Sequence, residues 1–266
     1  IDLILLKLKI KKNLRKEFLK NKEVLKFHKE GWCGPFDLMS QSKMSIIKNK
    51  IFSKIIKPGI ASKVNPSKYL HNRHLDNGII QKLCTSKQIV ERAVCLLGRD
   101  LLCFRSNLQF KKSEINFSKG QGEYGVVPWH QDSAYYELIP NLALTAWIAI
   151  TDTSKKNGCL RIIPSTHKAK LPHNYNKKLS SFEKSVNKKF FNEKNCIDIE
   201  LKAGQFIFFN ENLLHSSYKN MTSSPRLGLS PRMTTTNVFF PGWEKEKVLI
   251  LSGKDYFSRY KIAKIL

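Results

Sequence analysis

The sequence predicts a mainly β fold with flanking helices, a β-sandwich or jelly roll carried on a helical buttress. Three observations lead there. Helical periodicity dominates the chain up to Gly98, short apolar strand-like runs follow from Leu101 onward, and loops rich in Asn, Lys, Ser and Gly separate those runs. Helices first and many strands afterwards is the pattern of a layered β core covered on one side by helices. Neither an internal repeat nor a clear linker interrupts the chain. The expectation is therefore a single domain over 1–266, with a helical buttress at 1–100 and a jelly-roll core at 101–240.

Taken in order, residues 1–30 are rich in Lys, Leu and Ile and free of Pro and Gly. Leu14, Phe18, Leu25 and Phe27 lie among charges, which predicts an amphipathic helix ending at Gly31. The run Gly31-Trp32-Cys33-Gly34-Pro35-Phe36 reads as a turn or extended link. Residues 37–56 predict a second helix, and 66–98 predict further helical segments, clearest at Ile80–Leu83 and Ile89–Leu97. Strands are expected at Leu101–Phe110, Val126–Trp129, Leu142–Ile150, Leu160–Ile163, Ile197–Leu201, Gln205–Asn210 and Leu227–Thr236. Residues 173–195 are weakly patterned and highly charged, as in an insertion or a mobile lid.

Bulk composition narrows the class. The chain has 266 residues, 41% of them hydrophobic, which suits an ordinary globular protein. The longest aliphatic clusters, Ile1–Leu6 and Val248–Leu251, are far too short for a membrane span. Six cysteines, Cys33, Cys84, Cys95, Cys103, Cys159 and Cys196, are widely spaced with no C-x-x-C pair. That excludes a zinc-ribbon pattern and a disulfide-dense scaffold, and it suggests a reducing compartment. Ile1–Ile10 lacks a basic leader and cleavage site, and the chain ends Lys264-Ile265-Leu266 rather than Ser-Lys-Leu. The expectation is a cytoplasmic protein with no membrane partner. Net charge is +26, from 47 Lys+Arg against 21 Asp+Glu. The lysines are scattered, often beside asparagine, rather than gathered into one stripe. They read as solvated surface charge, so a nucleic-acid partner is not expected, although a basic surface favours an anionic small substrate. Composition assigns no oligomeric state.

The sharpest local feature is Pro128-Trp129-His130-Gln131-Asp132. On an extended segment, side chains two apart point the same way, so His130 and Asp132 can share one metal. Further along, the apolar strand Gln205–Asn210 leads into Leu213-Leu214-His215. A second His delivered by a buried strand completes the two-histidine, one-carboxylate triad of non-haem Fe(II) oxygenases, which leaves positions open on the metal. Arg226 opens the next strand, and its planar fork suits the distal carboxylate of 2-oxoglutarate.

These residues sit within a wider resemblance. GWCGPFDL at 31–38, NRHLD at 72–76, PWHQDSAYY at 128–136 and LALTAWIAITDTSKKNGCLRIIPSTHK at 142–168 are similar to the phytanoyl-CoA dioxygenase family of Fe(II)/2-oxoglutarate oxygenases. So are GQFIFFNENLLHSSYKN at 204–220 and PRLGLSPRMT at 225–234. The resemblance runs from Gly31 to Thr236 and implies a double-stranded β-helix, the cupin-like jelly roll. It implies His130, Asp132 and His215 as iron ligands and Arg226 as the anchor of the 2-oxoglutarate C5 carboxylate, supported by Ser217. Thr145 and Trp147 match positions lining the cosubstrate site, and Arg232 matches a second arginine near the metal in some members. Halogenating members carry Gly or Ala in place of the carboxylate ligand; Asp132 departs from them.

The implied activity is an Fe(II)-, 2-oxoglutarate- and O2-dependent dioxygenase that hydroxylates an unactivated C–H of a small molecule and releases succinate and CO2. Desaturation, cyclisation or epimerisation would use the same parts. A non-catalytic polyanion-binding β-barrel is the reading from another class. Gln109 and Lys119, which precede the first ligand, and Tyr135 and Tyr136, which follow Asp132, are expected to face the substrate, as is Arg232. His167 is expected to shape a loop. His74, in a second H-x-D, is expected to be structural or to line the pocket.

Overall fold

The computed structural model describes residues 18–113, 125–175, 183–243 and 246–266. Within them the strands, in chain order, begin with β1 (Trp32–Asp37), β2 (Leu101–Lys111), β3 (Val127–His130), β4 (Leu144–Ala149) and β5 (Leu160–Ile162). β6 (His173–Tyr175), β7 (Lys184–Val186), β8 (Ile197–Ile199) and β9 (Gln205–Asn210) follow. The last four are β10 (His215–Ser217), β11 (Arg226–Thr235), β12 (Lys247–Ser252) and β13 (Lys261–Ile262). A seven-stranded sheet runs β1-β9-β4-β11-β2-β12-β13, and a four-stranded sheet runs β3-β10-β5-β8. From β2 to β5, and again from β8 to β11, successive strands alternate between the two sheets. That winding is the double-stranded β-helix.

The large sheet is apolar on both faces, which explains why its strands read as nearly continuous hydrophobic runs. Leu144, Ala146, Ile148, Phe206, Phe208, Leu227 and Leu229 turn outward into a core shared with the helices. Their alternates Trp147, Ala149, Ile207 and Phe209 turn inward and meet Leu160, Ile162, Ile199 and Leu201 of the small-sheet side. Phe206 and Phe208 are wholly buried, and each such side chain contributes roughly 2–3 kcal/mol of transfer free energy. The inner face, lying between two rigid sheets, is where polar side chains can be held in fixed geometry.

The helices form where local signals permit. Asn21–Glu30 ends at Gly31, whose φ of 84° lies in the left-handed region. A Cβ there would stand 2.6 Å from His167 Nδ1, so both the turn and the close approach require glycine. His167 also bonds the His28 carbonyl through Nε2 at 3.1 Å, which is the loop-shaping role expected of it. Ser40 caps Gln41–Ile51 by accepting from Lys43 N–H. A π-helical turn, Phe52–Ile56, continues that helix into Lys57–Ala61. Asn77 caps Gly78–Cys84, and Lys87–Leu97 buries Ile89, Val90, Ala93 and Val94 on one face. Among the described residues no helix is long and apolar enough to cross a membrane.

Several expectations need correction. The Gly31–Phe36 link is in fact an edge strand: Trp32 pairs with Phe209 and Phe36 with Phe206, with a register shift between. Gly34 and Pro35 hide its strand character, and an edge is where a sheet tolerates proline. The second helix starts at Gln41 rather than 37. Of the helix expected over 1–30, residues 1–17 lie outside the described residues. Within 173–195, β6 and β7 pair as a hairpin, while 176–182 lie outside the described residues. The strands β12 and β13 extend the large sheet beyond β2, in a region where no element was expected.

Candidate metal and cosubstrate site

His130 is the last residue of β3, and His215 is the first residue of β10. They are direct cross-strand partners, which brings their rings to 4.1 Å between centroids. Asp132 lies beyond the strand, opening a 3-10 turn at Asp132–Ala134. Gln131 between them is still extended, at φ −112° and ψ 137°, so the alternation that sends positions 130 and 132 to one side persists through the strand end. His130 Nε2 and His215 Nε2 lie 3.8 Å and 3.9 Å from Asp132 Oδ1. One donor atom from each of the three falls within 4.8 Å of the others, and all three residues are buried.

The second nitrogen of each ring is already committed. His130 Nδ1 donates to the Pro128 carbonyl at 2.8 Å, and His215 Nδ1 donates to the Leu213 carbonyl at 2.8 Å. This leaves each Nε2 lone pair facing the common centre, as metal ligation demands. Burial, reinforced by His130, pushes the His215 pKa down to about 3, so this imidazole is neutral. Burial alone would raise the Asp132 pKa. The Arg232 guanidinium and the two imidazoles outweigh it and hold the carboxyl well below its ordinary range. Arg232 grips Asp132 with two prongs, Nε to Oδ2 at 2.9 Å and Nη2 to Oδ1 at 2.8 Å. Thr145 Oγ1 adds a bond to Oδ2 at 3.3 Å. Two imidazoles whose Nε2 atoms face a common centre and an ionised carboxylate form a donor set that fits Fe(II).

Beside the triad is a small cleft, lined in part by Gln109, Trp147, Phe209, Ser217, Arg226 and Arg232. Arg226 is only 3% exposed, yet no acidic side chain among the described residues pairs with it. Nη1 donates to the Gln109 carbonyl at 3.0 Å and Nη2 to the Gly158 carbonyl at 2.7 Å. Nε is buried without an acceptor. Its guanidinium carbon stands 5.5 Å from the Trp147 ring. Burial draws its pKa down to about 10, which still leaves it charged at neutral pH. A buried cation with spare donors is costly unless an anion answers it, so the cleft fits a carboxylate ligand.

The remaining candidates separate. Trp147, Ser217, Gln109 and Arg232 share the cleft with Arg226, whereas Thr145 acts on Asp132 instead. Tyr135 packs edge-on to His130 at 5.7 Å and donates from its hydroxyl to the Lys184 carbonyl at 3.0 Å, tying the β6–β7 hairpin to the metal turn. Tyr136 is partly buried, edge-on to Phe104, and does not line the cleft. Lys119 lies outside the described residues. His74 bonds Ser106 Oγ through Nδ1 at 2.8 Å, a structural role. Sequence reasoning missed the carbonyls of Gln109 and Gly158, because a backbone acceptor leaves no mark in residue type. It also missed Ser216, Ser230 and Phe209, which line the cleft as neighbours in space.

A double-stranded β-helix with a buried two-histidine, one-carboxylate centre and, in the adjoining cleft, an arginine with no acidic partner among the described residues defines a recognisable class of metalloprotein. Residues 27–228 match the family model described as phytanoyl-CoA dioxygenase, and the chain belongs to that family. It is 30% identical over 157 residues to the human peroxisomal phytanoyl-CoA dioxygenase, covering 56% of this chain and 44% of that protein. The chain thus spans less than half the length of that relative. A probable alpha-ketoglutarate-dependent hypophosphite dioxygenase from Stutzerimonas stutzeri is 31% identical over 124 residues, covering 47% of this chain and 40% of its own. Among solved structures, the non-haem monooxygenase ThoJ in its apo form superposes with a TM-score of 0.75 at 21% identity, over 91% of this chain and 87% of ThoJ. CytC3 with Fe(II) and alpha-ketoglutarate superposes with a TM-score of 0.64 at 24% identity, over 92% of this chain and 93% of CytC3. At these identities the likeness establishes the fold.

Proposed function

We propose that this chain is an Fe(II)- and 2-oxoglutarate-dependent dioxygenase that hydroxylates an unactivated C–H of a small molecule, releasing succinate and CO2. His130, Asp132 and His215 hold the iron, and Arg226 holds the C5 carboxylate of 2-oxoglutarate. One observation carries this reading: a buried arginine with no acidic partner among the described residues opens into the same cleft as a buried His-Asp-His triad whose donor atoms converge within 4.8 Å.

Bound iron supplies reduction of O2 coupled to oxidative decarboxylation of 2-oxoglutarate. The protein's own part is positional. The Pro128 and Leu213 carbonyls fix the two rings. Arg232 and Thr145 fix the plane of the Asp132 carboxylate. Arg226, steadied by two backbone carbonyls, sets the orientation of the cosubstrate. Trp147, Leu160 and Phe209 line the cleft with apolar surface and exclude water. Asp132 fills the carboxylate position, which favours oxygen insertion over halogenation. The net charge of +26 favours an anionic small molecule over a neutral one, and lysines scattered along the sequence suit a solvated surface better than a nucleic-acid site. The wide spacing of the six cysteines, with no C-x-x-C pair, is what supports a reducing, cytoplasmic setting.

Anaerobic titration with Fe(II) and 2-oxoglutarate tests the reading. A weak visible metal-to-ligand charge-transfer band should appear and be lost in His215→Ala. A folded protein that gives no band has no assembled site, and the reading fails.

A further inference from the structure

A second arginine faces the barrel interior from β2. Arg105 is the direct cross-strand partner of Arg232, so the two side chains leave the large sheet on the same face. Like charges placed opposite one another repel, and the pair needs neutralising. Arg232 has its counter-charge in Asp132. Arg105 has none: among the described residues its guanidinium makes no ion pair and no hydrogen bond. The charged and titratable groups around it are Arg232, Asp132, Tyr136 and Glu246, together with His71, on which both arginines act. Asp132 is already spent on Arg232, and Glu246 forms no ion pair with Arg105.

The guanidinium is nonetheless held in place. It stands 5.1 Å from the Trp243 ring and 5.9 Å from the Tyr136 ring, and those rings belong to an aromatic cluster with Phe104 and Phe240. Arg105 is half-buried rather than sealed, so its donors remain reachable. Its position along the barrel matters as well. Arg226 and Arg232 are six residues apart on β11, about 20 Å at the usual rise per strand residue. Arg226 marks the cosubstrate end. Arg232 marks the end at the metal carboxylate, and Arg105 lies beside it, outside the cosubstrate cleft.

We propose that Arg105, braced by Trp243 and Tyr136, binds an oxyanion of the primary substrate, a carboxylate or a phosphate, and so selects anionic substrates whose apolar part rests on the aromatic cluster. The assignment rests on the oxygenase reading, because it presumes that Arg226 is occupied by 2-oxoglutarate.

The test is calorimetric titration of the anaerobic protein, saturated with Fe(II) and 2-oxoglutarate, with octanoate, octyl phosphate and octanamide. The wild type should bind at least one of the two anions and discriminate against the amide by tenfold or more. Arg105→Gln should lose that discrimination, and Arg105→Lys should recover part of it. The tighter of the two anions identifies the substrate class. The charge-transfer band should persist in both variants, which reports an intact fold and metal site. Equal anion affinity in wild type and Arg105→Gln would overturn the proposal, as would equal binding of amide and anions by the wild type. If no band formed in any variant while anion binding still depended on Arg105, the oxygenase reading would fall and the anion site would stand.

Discussion

Arg232 closes a two-pronged ion pair on Asp132, 2.9 Å from Nε to Oδ2 and 2.8 Å from Nη2 to Oδ1, and so binds the large sheet to the metal turn of the small one. The pair keeps Asp132 ionised inside the barrel and fixes which way its oxygens face. Arg232→Lys keeps a charge but not the fork. Groups that orient a metal ligand typically cost 10–100-fold in affinity when removed. Fe(II) affinity, read by the charge-transfer titration, should therefore fall about 10-fold in Arg232→Lys and further in Arg232→Ala. Unchanged affinity in Arg232→Ala would show that Thr145 alone can hold the carboxylate.

Arg226→Ala removes the buried cation and leaves the triad untouched. Losing one partner of a buried charged contact costs about 2–5 kcal/mol, roughly 30-fold or more in affinity. The Kd for 2-oxoglutarate should rise by at least that factor while Fe(II) binding stays near the wild-type value. A rise confined to Fe(II) would place the arginine in metal support instead.

Gly228 is the β11 residue beneath Trp147. A Cβ there would lie 2.7 Å from Trp147 Cζ2, closer than side-chain carbons pack. Gly228→Ala should push the indole into the cleft and weaken 2-oxoglutarate binding several-fold, with a smaller effect on iron. Double substitution with Trp147→Phe, which removes the clashing ring, should restore part of the affinity.

Glu211 supplies a pH prediction. It is 1% exposed, and among the described residues neither carboxylate oxygen has a hydrogen-bond partner. Burial lifts its pKa from 4.5 to about 8, with the Asp132 charge adding to the rise. Between those values the folded state holds a proton that the unfolded state has released. The group's contribution to stability is therefore full below about pH 4.5 and is lost as pH rises through about 8, at close to 1.4 kcal/mol per pH unit. Glu211→Gln should raise the melting temperature, and the gain should grow from pH 5.5 to pH 8. A gain independent of pH would mean that the carboxyl is already ionised in the folded protein.

Much of the site was legible because its parts are chemically specific. His130 and Arg226 stand at the ends of apolar strands, Asp132 follows β3 in a turn and His215 follows the apolar Leu213-Leu214 pair, so each stands out against the run beside it. The strands of the large sheet were legible for the same reason, since burial on both faces leaves continuous hydrophobic stretches such as Gln205–Asn210. The helix ends at Gly31 and Gly98 were visible because those positions take a positive φ. The edge strand Trp32–Asp37 was not legible, because Gly34 and Pro35 carry a turn signal that pairing with β9 overrides.

By itself the sequence determined that helices precede the barrel strands, which donor types are available for a metal and that an arginine opens the strand after His215. Local propensity, hydrophobic period and side-chain chemistry are properties of the residues themselves. Only the tertiary structure decided that His130 and His215 face each other across β3 and β10, that Arg232 rather than solvent answers Asp132, and that Arg105 has no counter-charge among the described residues. Those outcomes depend on strand register and on which sheet each strand joins. Register is settled by burying one face of every strand at once, a condition of the whole barrel that no single segment contains.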